Sequence, residues 1–559
     1  MESIKNRNKI LIIFLLVLLM ACNSASDYSF KSLLKAFNSW ISIHSNESLD
    51  DLNSKNFFIR NKKGTSEYFS EYFFDLKRFK LELFQIDKKS LNNKNRNIHI
   101  ALNEKINSLL YSHSYSSYTW DPIYYIEPLN NYLLNLLLCN NLGYDMKIQY
   151  IDDALDYIPL YFNRTKKTLL SSNDYFIKRA ISEINITQEL LENIPLYIDF
   201  NDTVFIDIEK KIYNNVKFMK SYEDWLESKK TNEALTEKRS IAKILNNALF
   251  DIENKYNYSN SIDSLELKIK MLKKDILHSA SIIYFADNSI EKTILENYED
   301  STASLYYILD KNSKPSNINK DYSSQVIYFN DKYKKLLESF DIIDINEIEI
   351  EFPYYNTLFE LFENSIFIIN PYYSSNPMNV IINSYNNSDL FKTEAEIFLV
   401  EEVLSRTFYF NDFSDSHIDI YNDINHYSWS KFLSTYIDYK DYNIIDQNYR
   451  FLYKLDLLQD FLKILIKYKY YNNEISKEDA IFLLINEGFI DKKMSSKIFE
   501  EIIYNYVEND LEKFISYMYL YDLFNDYCLI NKKMSEAEFI KKIFKHGFLP
   551  IYNYKTVLN

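Results

Sequence analysis

The chain has 559 residues, a formal net charge of -15 and 47% hydrophobic residues, with only 4 Gly and 9 Pro. That length can bury one large core or several smaller ones, and so few breakers exclude a strand-and-turn architecture in favour of long helices. The acidic balance leaves the chain as a whole no phosphate-neutralising excess, which argues against nucleic acid as a partner.

At the N-terminus "MESIKNRNK" supplies Lys5, Arg7 and Lys9, and "ILIIFLLVLLMA" follows as an unbroken apolar run before Cys22. The run is short for a spanning helix and reads as a secretory signal. Leu19, Met20, Ala21 and Cys22 resemble the lipobox of bacterial lipoproteins, with Met20 as a tolerated variant. That resemblance implies a signal peptide over 1–21 and lipid attachment (palmitate-type acyl chains) at Cys22, which becomes the first mature residue; the alternative is a plain cleaved signal. Two or three acyl chains make a stable anchor. The signal and the composition resemble spirochaetal surface lipoproteins of the Borrelia type. A lipid-anchored place in the bacterial cell envelope is expected, with the membrane held through the N-terminal lipid.

A polar tether to about Ser29 and an isolated helix from "KSLLKAFNSWI" fill an N-terminal segment, 22–64. A helical domain is expected over 65–559, its N-terminal half at about 65–335 and a small sheet plus C-terminal helical half at about 340–559. In "SEYFSEYFFDLKRFKLELFQI" apolar residues recur at three and four, as a core-facing helix requires. "DPIYYIEPLNNYLLNLLLCNNLG" predicts a helix entry at Asp121-Pro122 and a left-handed stop near Gly143. The next two helices carry Pro159 and Pro195 as a kink or stop. Ile345 to Phe352 alternates apolar and acidic residues, a strand signature, and "NSIFIINPYY" and "NPMNVIINSY" are further short strands. Helices resume to Leu558, with Gly488 and Gly547 as C-terminal caps and Pro550 as a stop. Cys139 and Cys528 lie in apolar contexts without a CxxC, so no zinc or disulfide scaffold is implied; two free thiols or one long-range bridge both fit.

From about Trp120 onward the order of features resembles a bacterial family known as domain of unknown function 885, large helical proteins related to zinc metallopeptidases. "EISKEDAIFLLINEGF", "EEIIYNYVENDLEKFISYMYLYDLF" with Tyr517, and "FIKKIFKHGFLPIYNYKTVL" with Gly547, Leu549 and Pro550 carry the resemblance at the C-terminus. "WDPIYYIEPLNNYL" and "ALDYIPLYFNRTKKTL" carry it upstream. The family's chemical motif is His-Glu-x-x-Pro-Gly-His. In "AEIFLVE", Ala395 stands for the first histidine, Glu396 for the glutamate, Leu399 and Val400 for Pro-Gly, and Glu401 for the second histidine. In "YSWSKFLS" Trp429 is retained and Phe432 stands at the tyrosine, while Tyr427 and Ser434 replace two glutamates. A later Arg-Tyr pair falls on Tyr506 and Val507.

A catalytic zinc needs three protein ligands and an open position for water. Ala395 cannot ligate, and Glu401 alone does not make a site. The resemblance therefore implies a mainly α, multi-helix fold of metallopeptidase-like architecture with a degenerate active site, no catalytic or metal-binding residues and no cofactor. Without Pro-Gly, "EIFLVEEVL" is expected to run as a regular helix, with Glu394 and Glu401 sharing a charged outer face over Ile397, Val400 and Leu404 while Glu396 points elsewhere. A working acid/base site is the competing reading. His417 and His426 lie near Asp415, Asp419 and Asp423 and offer a rearranged metal site with Glu401. Three functions stay open: a binding protein for a peptide or host protein, in effect a pseudoenzyme; an active hydrolase; and a structural or adhesive surface antigen without a ligand cleft.

Overall fold

The computed structural model describes residues 26–41, 44, 65–114, 117–138, 143–197, 202–231, 238–287, 301–313, 324, 326–329, 331, 335, 348–351, 366–369, 378–382, 389–404, 423–440, 447–504, 509–546 and 549–558. The fold is mainly helical. Cys22, Cys139, His417, Tyr506, Val507 and Gly547 lie outside the described residues.

Two compact units emerge, one holding the described residues from 26 to 231 with 549–550, the other holding the remainder. The first contains α1 (26–41), α2 (Ser66–Gln85), α3 (Asn93–Ser114), α4 (Ile123–Leu138), α5 (Tyr144–Thr168), α6 (Asp174–Tyr197) and α7 (Asp202–Glu227). A two-residue parallel bridge joins β1 (Ser172–Asn173) to β2 (Lys230–Thr231).

The chain is already helical at residue 26, ahead of the expected end of the tether, and α1 is not isolated. Phe37 sets its ring edge against Phe79 at 5.4 Å, and Trp40 Nε1 donates to Asp75 Oδ2 at 3.1 Å. The helix joins the core because Phe30, Leu33, Leu34 and Phe37 recur at three and four on one face.

Proline does not stop α5. Pro159 sits inside it, where the missing N–H frees the carbonyl of Leu155 four residues back. Asn215 on α7 supplies the replacement, donating Nδ2 to Leu155 O at 2.8 Å. Asn215 is 2% exposed, so this bond is made away from water. Asn215→Leu is expected to lower stability by about 1–3 kcal/mol, because a buried carbonyl then loses its donor; urea unfolding followed by circular dichroism reads it, and an unchanged midpoint would contradict this account. Pro195 also lies within its helix, near the end of α6. Gly143 differs from expectation: with φ -58 and ψ 143 it is the N-cap of α5, not a left-handed stop.

The second unit contains α8 (Lys238–Tyr256), α9 (Ser261–Asp287) and α10 (Ser301–Ser313), then three strands. Those are β3 (Ile348–Glu351), β4 (Ile366–Ile369) and β5 (Met378–Ile382), with β5 central, parallel to β3 and antiparallel to β4. The helices that follow are α11 (Asp389–Phe398), α12 (Asp423–Lys440), α13 (Gln447–Tyr471), α14 (Lys477–Asn486), α15 (Lys492–Tyr504), α16 (Asn509–Phe524), α17 (Glu536–Phe544) and α18 (Tyr554–Leu558).

Helix α13 packs against α9 and α11, and α12 against α16. The buried residues of α13 lie all round the helix, from Tyr449 to Tyr471, as a central helix requires. A capping box of Ser476 and Asp479 starts α14. At its end the left-handed residue is Phe489, with φ 55, and not Gly488. Gly488 is needed for close approach: a Cβ there would meet Leu484 O at 2.8 Å and Leu462 Cδ2 at 3.0 Å. Cys528 is a free buried thiol whose pKa burial pushes up to about 12, which keeps it an unreactive thiol at neutral pH.

Candidate functional site

Helix α11 does not end as a regular helix. It runs directly into a π turn over Leu399–Leu404. A π turn widens the spiral by one residue and redirects every side chain after it. The expected outer carboxylate face is therefore wrong. Glu394 is exposed, but Glu396 and Glu401 are both buried, alongside Ala395, Leu399 and Val400. Ile397, expected in the core stripe, is only half-buried.

Opposite the π turn, α12 presents Tyr427, Lys431, Ser434 and Thr435 at helical spacing on one face. Asp456 and Asp460, one turn apart on α13, close the cluster. The Lys431 ammonium lies 2.8 Å from Glu401 Oε2, 2.5 Å from Asp456 Oδ2 and 3.7 Å from Asp460 Oδ2. The other Glu401 oxygen, Oε1, accepts from Ser434 Oγ at 3.1 Å. Tyr427 donates its hydroxyl to Asp460 Oδ2 at 3.3 Å. The lysine side chain is 5% exposed and that of Glu401 11%, whereas Asp456 at 48% reaches solvent.

One ammonium thus serves three carboxylates, and the three differ in environment. Burial pushes Glu401 up to about 7, with Asp456 and Asp460 adding to the rise and Lys431 opposing it. Burial and the neighbouring Asp456 also raise Asp460. Burial alone would raise Asp456, yet Lys431 beside it holds it below its ordinary value. Burial would neutralise Lys431, but Asp456, Glu401 and Asp460 keep it charged far into the alkaline range. A permanently protonated lysine is neither a nucleophile nor a base.

A hydroxyl network continues behind the charges. Thr435 Oγ1 bonds the Tyr453 hydroxyl and lies 3.0 Å from the Tyr517 hydroxyl. Burial raises the pKa of Tyr453 and Tyr517 alike. Tyr449 is raised by burial too, with the charges of Glu401 and Glu396 adding to it.

The other side of α12 is apolar. Trp429 is 3% exposed, donates Nε1 to the Tyr554 hydroxyl at 2.8 Å, and packs its ring against Phe432 at 6.0 Å. Phe432 is in turn enclosed by Tyr436, Phe524 and Phe539. The site at Trp429 is packed shut.

Of the positions singled out in the sequence, Glu401, Tyr427 and Ser434 meet in one cluster. Ala395 and Glu396 are buried on the helix leading into it, and Trp429 faces away. His426 is buried at the start of α12, five residues before Lys431 and so about 140° around the helix from it. Of the rearranged metal site expected from Glu401, His417 and His426, His417 lies outside the described residues, and the two Glu401 oxygens accept from Lys431 and Ser434. Among the described residues no group of His, Cys, Asp and Glu is arranged to hold a metal ion.

Sequence reasoning missed Lys431, Asp456 and Asp460. A signal existed in "LDLLQDFL", where two aspartates four residues apart interrupt a helix that is buried on nearly every side.

No family model and no curated protein matches the chain. Two solved structures share its fold from end to end. One, from Shewanella oneidensis and described as a lipoprotein of unknown function, superposes with a TM-score of 0.66 at 14% identity, covering 95% of this chain and 100% of its own. The other, from Colwellia psychrerythraea and also described as a lipoprotein, gives 0.65 at 11% identity over 97% and 98%. At such identities the likeness is one of fold.

Proposed function

We propose that the chain is a lipid-anchored protein of the bacterial envelope with a catalytically degenerate, metallopeptidase-like fold, and that it acts by binding. The carrying observation is the Lys431 ammonium held between Glu401 and Asp456. It is a cation built into the chain at the carboxylate that stands for a metal-ligating histidine. With Oε2 on Lys431 and Oε1 on Ser434, a metal at Glu401 would compete with a buried ammonium for the same carboxylate. Glu396 retains a general base's identity but is buried beside Ala395, which ligates nothing.

The anchoring half of the reading rests on the Leu19–Cys22 junction, and the fold shared with two proteins described as lipoproteins supports it. Among the described residues no helix is long and apolar enough to cross a membrane; in this reading the lipid on Cys22 carries the attachment. With Trp429 packed shut, a partner, whether a peptide or a host protein, meets the outer surface and not an inherited cleft. Cys22→Ala is expected to move the protein from the detergent phase to the aqueous phase on phase partitioning; unchanged partitioning would end the lipoprotein reading.

A further inference from the structure

The end of the first unit nearest the expected anchor sets exposed apolar side chains beside basic ones. Asp27, in the first turn of α1, is fixed against the turn between α2 and α3: its Oδ2 accepts from Asn92 Nδ2 at 2.7 Å and its Oδ1 from Asn95 Nδ2 at 2.8 Å. Cys22 lies five residues before Asp27, so at most about 18 Å of extended chain separates the acylated residue from that turn. Whatever stands on this end of the three-helix assembly is held near the lipid headgroups.

Three large apolar side chains stand there in the open. Phe84, in the last turn of α2, is 88% exposed; Leu81, one turn earlier, is 64% exposed; Tyr28, next to Asp27, is 77% exposed. They are not the overflow of a poorly formed helix. The face of α2 across the helix from Leu81 buries Leu76, Phe79 and Leu83, and the Leu83 carbonyl lies 3.2 Å from His99 Nε2. Beside the apolar tips lies positive charge. From Lys77 to Arg96 the chain holds seven basic residues against two acidic ones, in a protein whose overall charge is -15. Arg96 clamps the turn, donating to the carbonyls of Lys88, Lys89 and Leu91 at 3.2, 3.2 and 3.0 Å. The Lys88 and Lys89 side chains are left exposed.

Resting on the lipid-anchor reading, we propose that this end, made of Tyr28, Leu81, Phe84 and the lysines of the 88–89 turn, is a membrane-docking face that seats the protein on an anionic lipid surface. Aromatic and leucine tips enter the boundary between headgroup and acyl chain while lysines pair with phosphates, the arrangement an interfacial segment requires. The acyl chains then hold the protein and the face orients it, so the body rests on the bilayer instead of swinging on a tether. The occupant is the bilayer because the anchor ends there and because the local charge opposes that of the rest of the chain.

The test uses the full acylated chain carrying Phe84→Trp, reconstituted in vesicles of about three parts phosphatidylcholine to one part phosphatidylglycerol, with bromine on the acyl chains. Docking predicts that the emission added by the introduced tryptophan falls about twofold relative to unbrominated vesicles. In Lys88→Glu/Lys89→Glu made on that background, the quenching is expected to be largely lost. Flotation of the same samples reports the anchor separately. Protein that floats while the introduced indole stays unquenched overturns the face and leaves the anchor standing. Protein that fails to float overturns the anchor; the face is then judged on the same quenching at equal vesicle concentration. Emission from the introduced indole that is blue-shifted but unquenched would mean a contact between two copies of the chain, and would also overturn the proposal.

Discussion

Lys431→Met is expected to destabilise the second unit by about 3–5 kcal/mol, the cost of leaving a buried carboxylate without its counter-charge. The substitution nearly keeps the length of the side chain and removes the ammonium. Glu401 then keeps the Ser434 hydroxyl as a donor, and Asp460 keeps Tyr427 and the more distant Lys463. The pH dependence identifies the cause. In the wild type, burial raises Glu401 above its ordinary 4.5 to about 7, so its contribution is full below 4.5 and is lost as pH rises through about 7. Lys431 is raised above its ordinary 10.5, so its contribution is present below that value and persists through neutral pH. Removing Lys431 removes the main influence that lowers Glu401, so the variant gains more from protonation. The gap between wild type and variant is therefore expected to narrow on going from pH 8 to pH 5. Urea denaturation by circular dichroism at both values checks it; a gap that is small, or that widens toward pH 5, would show that the three carboxylates do not depend on the lysine.

Trp429→Ala carries the other large effect, about 3–5 kcal/mol for emptying a fully packed aromatic site. The side chain touches Phe432 and Tyr554 and gives up its only N–H to the Tyr554 hydroxyl. Trp429→Phe keeps most of the apolar area and loses the hydrogen bond, for about 1 kcal/mol. A Trp429 that lined an open cleft would give a small loss in both, so the ratio of the two variants separates a core residue from a ligand platform. The comparison belongs in midpoints read within one unit, because a chain of two compact units need not unfold in one step.

Much of the helical organisation was legible in the sequence. The 3–4 recurrence in "SEYFSEYFFDLKRFKLELFQI" predicts the helix observed over Ser66–Gln85 almost residue for residue, because one buried stripe decides it. Proline was harder to read. Pro159 signals a break, but Asn215, more than fifty residues away, takes the role of the missing N–H and the helix continues. Gly488 marked the end of a helix correctly, but for a reason of space and not of backbone torsion, which depends on how closely Leu462 approaches.

The site was half legible. Positional resemblance picked Glu401, Tyr427 and Ser434, and they do converge. The π turn was invisible, because it is stabilised by what packs around it and not by a local residue preference. Without it Glu401 falls on an outer face and no partner is sought. The lysine was hidden by a habit of reading: charged residues are taken as solvated, while Lys431 sits between Ser430 and Phe432 with both neighbours buried. Two aspartates on an otherwise buried helix were the clue that a cation lay opposite.

Elemental analysis of the protein purified without chelator tests the central claim most directly, since that claim is that a lysine takes the cation's place beside Glu401. The account predicts far less than one zinc per chain, no cleavage of a broad peptide library, and Glu396→Gln leaving the fold unchanged. One tightly held zinc per chain, with hydrolysis that disappears in Glu396→Gln, would contradict it.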